Sequence, residues 1–524
     1  MELTVQNVQP VQLERQTITV SETVYDGDVE QPLECDALLP DYCPDIVRVL
    51  TCRVDTGIQA TALNGDRLVI EGMSLVHVYY VSSGAGICHT EYKIPFTRTV
   101  ELRESPINPM ITVTPKVSYL NCRAVSQRRI DIRGAITLTV QVTAARQEAL
   151  VQETRGGGLH LRREALQVRG ILCRTETGFT MQEELECGYG KPLIGTVIRS
   201  GARVHLQDTK ILSGKLVAKG EVLLHIAYRP ADHEDGVLEI MKYNLPISQI
   251  LDCEGADEES LCDIRVFVTS WNITPKADAT GEYRKFSFEG QLRAVVTAHS
   301  QQEIAVAVDC FSTEFESKTQ IQRVPVTHLH QLLAESLLHK FSLDLPEEID
   351  AVLDMWCEST DTQWKREEAG LHISSRMTIA LFARTREGEI AYFEQSTMVE
   401  HRLPAPAEED LQNIRFAPAA EVLALDYTLT GHAQLDVRAE VLLQGCVYHV
   451  LWQQAIGDIQ LEETAVKEQR QENLLLYFAG AGESVWEIAK EYNTAPEQIR
   501  AENELEGDVL TGKRVLLIPG GRGR

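Results

Sequence analysis

Residues 66–81 read DRLVIEGMSLVHVYYV, residues 214–229 read GKLVAKGEVLLHIAYR, and residues 369–384 read AGLHISSRMTIALFAR. The three stretches share a pattern. On one face they place Leu68, Ile70, Gly72, Ser74, Val76 and Val78, then Leu216, Ala218, Gly220, Val222, Leu224 and Ile226, then Leu371, Ile373, Ser375, Met377, Ile379 and Leu381. Apolar residues at every second position mark a strand with one face on a core. Gly72, Gly220 and Ser375 share one place in the pattern, where a small residue allows a bulge or the close approach of another backbone.

A second echo follows each copy at a similar distance. RIDIRGAITLTV (129–140) is answered by KFSFEGQLRAVV (285–296) and QLDVRAEVLLQG (434–445). Its inward face carries Ile130, Ile132, Gly134 and Ile136, then Phe286, Phe288, Gly290 and Leu292, then Leu435, Val437, Ala439 and Val441. Two signals repeating in one order make the unit a whole domain. The expected domains are 33–145, 183–312 and 328–450, with a change of character over 474–519. At this long period they read as beads on a string rather than a solenoid of stacked short repeats. The stretches between them read as charged connectors: Gly156-Gly157-Gly158 as a flexible tip, and Leu329, Leu332, Leu333 and Leu337 as one face of a helix.

At 524 residues the chain exceeds a single core. Its 77 acidic against 50 basic side chains, a formal charge of −27, repel nucleic acid and anionic lipid. The N-terminal MELTVQNVQPVQLERQ has no basic stretch leading into an apolar one, and no eighteen apolar residues run together, so a soluble chain retained in its own cell is expected. The twelve cysteines are scattered, without C-x-x-C, and read as thiols in a reducing compartment. His77 and His225 recur at one repeat position, but the third copy has Ala380 there, which makes them poor metal-ligand candidates.

Chemistry is hard to find. G-x-S-x-G, H-E-x-x-H and the P-loop pattern are absent, and GYGKP (188–192) and RGGGL (155–159) lack the rest of a phosphate loop. DHEDG (232–236) has Tyr243 where a calcium loop needs a bidentate glutamate, so it reads as a hairpin turn. Glu183-Glu184 and Glu408-Glu409 read as solvated surface. No catalytic residue, metal or cofactor is expected.

Residues 38–50, LLPDYCPDIVRVL, lead into the first strand. Leu39, Pro40, Asp41, Pro44, Asp45, Ile46, Arg48 and Leu50 resemble the opening of the SPOCS domain of clostridial spore-coat proteins. DLPEEIDAVL (344–353) is a weaker copy, and KPLIGTVI (191–198) a decayed one. Each proline restricts the residue before it and each following aspartate can cap a short helix, so a structural reading stands beside a binding one.

Residues 474–519 spell strand, helix, helix, strand. Ser484 is placed to cap VWEIAKEY, Thr494 to cap a second helix that contains Pro496, and RVLLIP closes as a strand. GESVW, IAKEYN, IRAEN and GKRVLLIP resemble the successive motifs of a LysM domain. The expected fold is therefore mainly β: three tandem β-rich SPOCS-type domains followed by a small α+β (βααβ) LysM domain.

In LysM domains two loops form a shallow groove for N-acetylglucosamine polymers. By position that groove takes Gly482, Glu483, Ser484 and Val485 from one loop and Leu505, Glu506, Gly507, Asp508 and Val509 from the other. Between 483 and 508 stand eight acidic residues against Lys490 and Arg500, a field suited to a basic protein surface rather than to sugar. Charge reversal at Glu506 and Asp508 is expected to leave the module folded.

The resemblance to spore-coat morphogenetic proteins that join SPOCS and LysM domains implies a non-enzymatic adaptor. It implies a place in the mother-cell cytoplasm at the forespore surface. Its partners would be the coat morphogenetic ATPase, stage IV sporulation protein A, reached through LysM, and other coat proteins. Binding of cell-wall or cortex glycan is the alternative.

Overall fold

A computed structural model describes residues 11–84, 86–107, 109–188, 190–231, 237–368, 370–404, 413–467 and 474–520. DHEDG (232–236) and Glu408-Glu409 lie outside them.

The first unit contains β1 (Gln12–Leu38), β2 (Arg48–Asn64), β3 (Arg67–Ser82), β4 (Gly86–Glu101), β5 (Met110–Ser126) and β6 (Arg129–Arg155). The second contains β7 (Leu159–Glu186), β8 (Ile194–Leu212), β9 (Lys215–Pro230), β10 (Glu239–Asp252), β11 (Leu261–Ala277) and β12 (Tyr283–Ser312). The third contains β13 (Phe315–Asp344), β14 (Ile349–Glu367), β15 (Gly370–Thr385), β16 (Ile390–Pro404), β17 (Ile414–Phe416), β18 (Ala419–Thr430) and β19 (Gln434–Val466).

Each unit is a sandwich of two antiparallel sheets. One sheet is β2-β3-β4, β8-β9-β10 or β14-β15-β16, and the other is β1-β6-β5, β7-β12-β11 or β13-β19-β18 with β17 added. The two echoes in the sequence are the two central strands of each sandwich, where alternation is strongest because both neighbours are paired. Leu68, Ile70, Val76 and Val78 meet Ile130, Ile132, Ile136 and Val140 in the first core. A bulge on β2 faces Gly72 and one on β8 faces Gly220. A Cβ on Gly220 would lie 2.2 Å from the carbonyl oxygen of His205, so the backbones can approach this closely only at glycine.

The Pro-Asp motif is a loop that docks on the β5–β6 turn. The amides of Leu39, Cys187 and Leu345 donate to the carbonyls of Arg128, Arg284 and Ala433. Tyr80 and Tyr228 donate to the carbonyls of Pro44 and Pro192, 3.1 and 3.0 Å. Asp45 caps no helix; it accepts from Arg128 at 2.7 Å, which corrects the capping expectation.

The intervening stretches are not connectors. β1 and β6, 27 residues each, continue beyond their sandwich as a paired ribbon, as do β7 with β12 and β13 with β19. The three ribbons pack together through Ile18, Val20, Leu150, Val306, Val324 and Ala455, and nearer their tips through Val151, Ala307, Cys310, Ile456 and Ile459. The helix expected at 329–337 is therefore strand. Leu329 and Leu333 are buried and Leu332 and Leu337 half-buried, and a bulge at His330 puts Leu329 and Leu332 on one face and Leu333 and Leu337 on the other, which breaks the alternation that would identify a strand. The glycine run is a packed turn rather than a flexible tip: Gly156, Gly157 and Gly158 all have positive φ, at 86°, 63° and 58°. Gly157 faces Leu461 and Val11 so closely that a Cβ would lie 2.5 and 3.0 Å from them.

Nor are the units separate beads. β3, β9 and β15 are buried on both faces at Val78-Tyr79-Tyr80, Ile226-Ala227-Tyr228 and Ala380–Ala383. Tyr79, Ala227 and Phe382 occupy equivalent positions, as do Ile87, Leu238 and Ile390 at the facing edge, and Leu50, Ile198 and Leu353 at a bulge shared by all three units. These nine residues, with Trp356 and others, form one apolar hub. The same three positions from each copy meeting in one cluster define a pseudo-threefold arrangement.

Charges are buried beside the hub. Asp354, with a fully buried side chain, accepts from Nε of Arg199 and pairs with Nε2 of His225 at 2.7 Å. Arg199 also lies over the Trp356 ring, 4.4 Å from its centroid. Cys52 on β2 and Cys122 on β5 form a disulfide, which corrects the expectation of thiols throughout; the other ten cysteines are free.

Candidate functional site

The C-terminal module is built from β20 (Leu474–Ala479), α1 (Val485–Glu491), α2 (Pro496–Glu502) and β21 (Arg514–Pro519), with β20 and β21 antiparallel. Ala479, Val485, Ile488, Ala489, Ile499, Leu510, Leu516 and Ile518 form its core. Ser484 caps α1 as expected, accepting from the amide of Trp486 at 3.1 Å. The second helix is capped otherwise than expected. Its N-cap is Ala495, and Thr494 instead donates to the carbonyl of Pro519 at 3.1 Å, tying the interhelical turn to β21. Asn503, which the sequence reading passed over, accepts from the Leu517 amide and donates to the Leu517 and Ile499 carbonyls, all within 2.8 Å.

The two loops expected to form a groove are joined by their backbones. Gly482 donates to Leu510, Leu510 to Glu483 and Val485 to Asp508, at 2.8, 2.9 and 2.7 Å, and Ser484 bridges to Val509. Val485 is wholly buried, so it contributes only main chain to the surface. Asp508 is occupied: its carboxylate accepts from the Ser484 hydroxyl at 2.7 Å and from the Trp486 amide at 3.1 Å. Reversal at Asp508 would thus strip α1 of a cap, which corrects the expectation that it leaves the module intact. Glu483 accepts from the Tyr477 hydroxyl at 3.0 Å. Gly482, Glu506, Gly507 and Val509 are the exposed members of the set, with Leu505 half-buried between them.

The module's first helix is docked on the tip of the β7–β12 ribbon. The Trp486 ring meets Phe311 edge-on at 5.0 Å, and its indole N–H donates to Asp309 at 2.8 Å. Lys490 donates to both oxygens of Asp309 at 2.9 Å. Burial alone would raise the Asp309 carboxyl, but these two donors outweigh it and hold it below the usual carboxylate range. Arg162 pairs with Glu487 at 3.0 Å and His160 with Glu497 at 3.5 Å. Part of the acidic field read from the sequence is therefore answered within the chain. Contacts between residues so far apart carry no local sequence signal, although an acidic helix face and Trp486 mark one side of the contact.

Repeated β-sandwiches ending in a small βααβ module define a modular, mainly β protein. A family model described as SipL, SPOCS domain matches residues 45–125 and 193–276, which cover β2 to β5 and β8 to β11 without the long flanking strands. A LysM domain model matches residues 480–519. The chain carries SPOCS domains of the SipL type and a C-terminal LysM domain, an architecture that fits a sporulation-associated protein. No curated protein and no solved structure matches it. Among the described residues no helix is long and apolar enough to cross a membrane.

Proposed function

We propose that the chain is a non-enzymatic adaptor of spore coat assembly. Its LysM module takes the coat morphogenetic ATPase, stage IV sporulation protein A, on the mother-cell side of the forespore surface, and its three-sandwich body holds other coat proteins. The observation that carries the reading is the joining of SipL-type SPOCS domains to a LysM module in one chain. The exposed acids beside the loop pair, Glu502, Glu504 and Glu506, suit a basic protein surface through steering and register.

Glycan binding along Gly482, Glu483, Ser484, Val485, Leu505, Glu506, Gly507, Asp508 and Val509 is the second reading, supported by the LysM match. The full chain distinguishes them. Glu502→Lys with Glu506→Lys leaves the caps in place, and it should weaken capture of the ATPase and flatten the salt dependence of what remains. Chitin oligomers should not compete. Sugar binding in calorimetry with no ATPase signal would overturn the adaptor reading in favour of the glycan one.

A further inference from the structure

The face of β3 and β4 turned away from the first core carries His77, His89 and Glu91 beside the hub, with the His89 ring stacked on that of Tyr79 at 5.0 Å. His77 on β3 stands in register with Glu91 on β4. His89 precedes Glu91 by two residues and so shares its face. Nδ1 of His77 lies 2.9 Å from Nε2 of His89, and the rings stack at 5.1 Å. The donor atoms of His77, His89 and Glu91 all lie within 4.8 Å of one another.

The other nitrogen of His77 is already engaged, with Nε2 3.2 Å from Asp55. Asp55 in turn accepts from Arg53 at 2.6 Å, and Arg53 also lies 3.6 Å from Glu358. The guanidinium nearest the site is thus met by two carboxylates.

We propose that His77, His89 and Glu91 bind a divalent transition-metal ion of the zinc class, with a fourth coordination position left for water or for a donor from a bound partner. Two imidazoles and a carboxylate are the donor set of open three-ligand zinc sites. Imidazole donors select zinc, copper, nickel or iron over calcium and magnesium. Asp55 supplies the outer carboxylate that fixes the ring of a ligating histidine and leaves Nδ1 to face the metal.

The other two copies show that the fold does not need this set. At the places of His77, His89 and Glu91, the second unit has His225, Ile240 and Lys242, and the third has Ala380, Tyr392 and Glu394. All three donors coincide only in the first unit. His225, the one histidine retained, is used differently, in its contact with Asp354. The proposal departs from the expectation that His77 is a poor ligand, because it rests on the β4 residues His89 and Glu91 beside it and not on the repeat position alone.

The test uses the full chain with its thiols alkylated, because the free cysteines also take zinc. Cobalt(II) titrated into it should bind at one equivalent, with the visible bands of a four- or five-coordinate ion and no sulfur charge-transfer band. His89→Ile and Glu91→Lys carry the second unit's residues, and each should weaken binding by about 100-fold, while His225→Ala binds as before. In the unmutated chain, zinc should protect His77 and His89, but not His225, from acylation by diethyl pyrocarbonate, read by peptide mass. This measurement does not depend on any variant folding. Absence of cobalt binding by the alkylated chain, binding unchanged by both substitutions, or absence of zinc protection at His77 and His89 would each overturn the site.

Discussion

Asp354 is a fully buried carboxylate of the third unit held by Arg199 and His225 of the second. Burial alone would raise its pKa; the Arg199 charge, then the His225 hydrogen bond, outweigh burial and hold the carboxyl well below the usual carboxylate range. A group depressed in the folded state stabilises above its unfolded pKa of about 3.9, and that contribution is lost as pH falls below it. The melting temperature should therefore drop on acidification from about pH 5 toward about pH 2, and drop less in Asp354→Asn, whose pairing is already weakened. Asp354→Ala at neutral pH should cost about 3–5 kcal/mol, because Arg199 is then buried without its partner charge. An equal acid response in wild type and Asp354→Asn would place the titration elsewhere. In the LysM module, Asp508→Ala should cost about 1 kcal/mol through the lost α1 cap, measured as a shift in urea midpoint.

Among the elements, the central strands were readable and the ribbons were not. β3, β9 and β15 announced themselves because one face of each, such as Leu68, Ile70, Val76 and Val78, is dry while the other is half-wet. The signal that the other face is also covered lay in plain sight where alternation breaks, at VYY, IAY and ALFA, but an apolar run does not say what covers it. The ribbons hid behind charge and glycine. Their outer faces stay solvated, and Gly156-Gly157-Gly158 reads alike as a loose tip or a tight turn until positive φ at all three is seen. LysM was legible from motif spacing, whereas its seat on Phe311 and Asp309 was not. Gly157→Ala tests the turn: left-handed backbone and the collision with Leu461 together should cost more than about 1 kcal/mol. Gly281→Ala, with φ of 85° and open space around the new Cβ, isolates the backbone part and should cost less in the same urea series.

As a whole molecule, the three units share a hub and a stem. Residues 11–467 should melt in one calorimetric transition rather than three, and Phe382→Ala should lower it by about 3–5 kcal/mol through the cavity it leaves among Tyr79, Trp356 and Tyr392. The segment 183–312 retains only four residues of β7, Glu183 to Glu186, so it should lack the cooperative melt expected of 159–312. Three separate transitions, or an unchanged melt in Phe382→Ala, would return the units to independent beads. Equivalent hub positions have also diverged into complementary residues: Thr51, Arg199 and Asp354 occupy one place in the three copies, and the last two pair. Three identical copies could not make that contact, so the order of units along the chain is written into their interface.

The start of β1 and the end of β19 lie at the same end of the stem, since Val11 and Leu461 both approach Gly157 and Lys467 bonds to the β12–β13 turn. Tension applied between the N-terminal region and a tethered LysM module would therefore bypass the sandwiches. It would act on the outermost ribbon pairs, Gln12 with Arg155 and Val466 with Phe315, in an unzipping geometry that loads one pair at a time rather than shearing many together. In single-molecule pulling from these two ends, the first extensions should come at low force and in small steps, with the hub still closed.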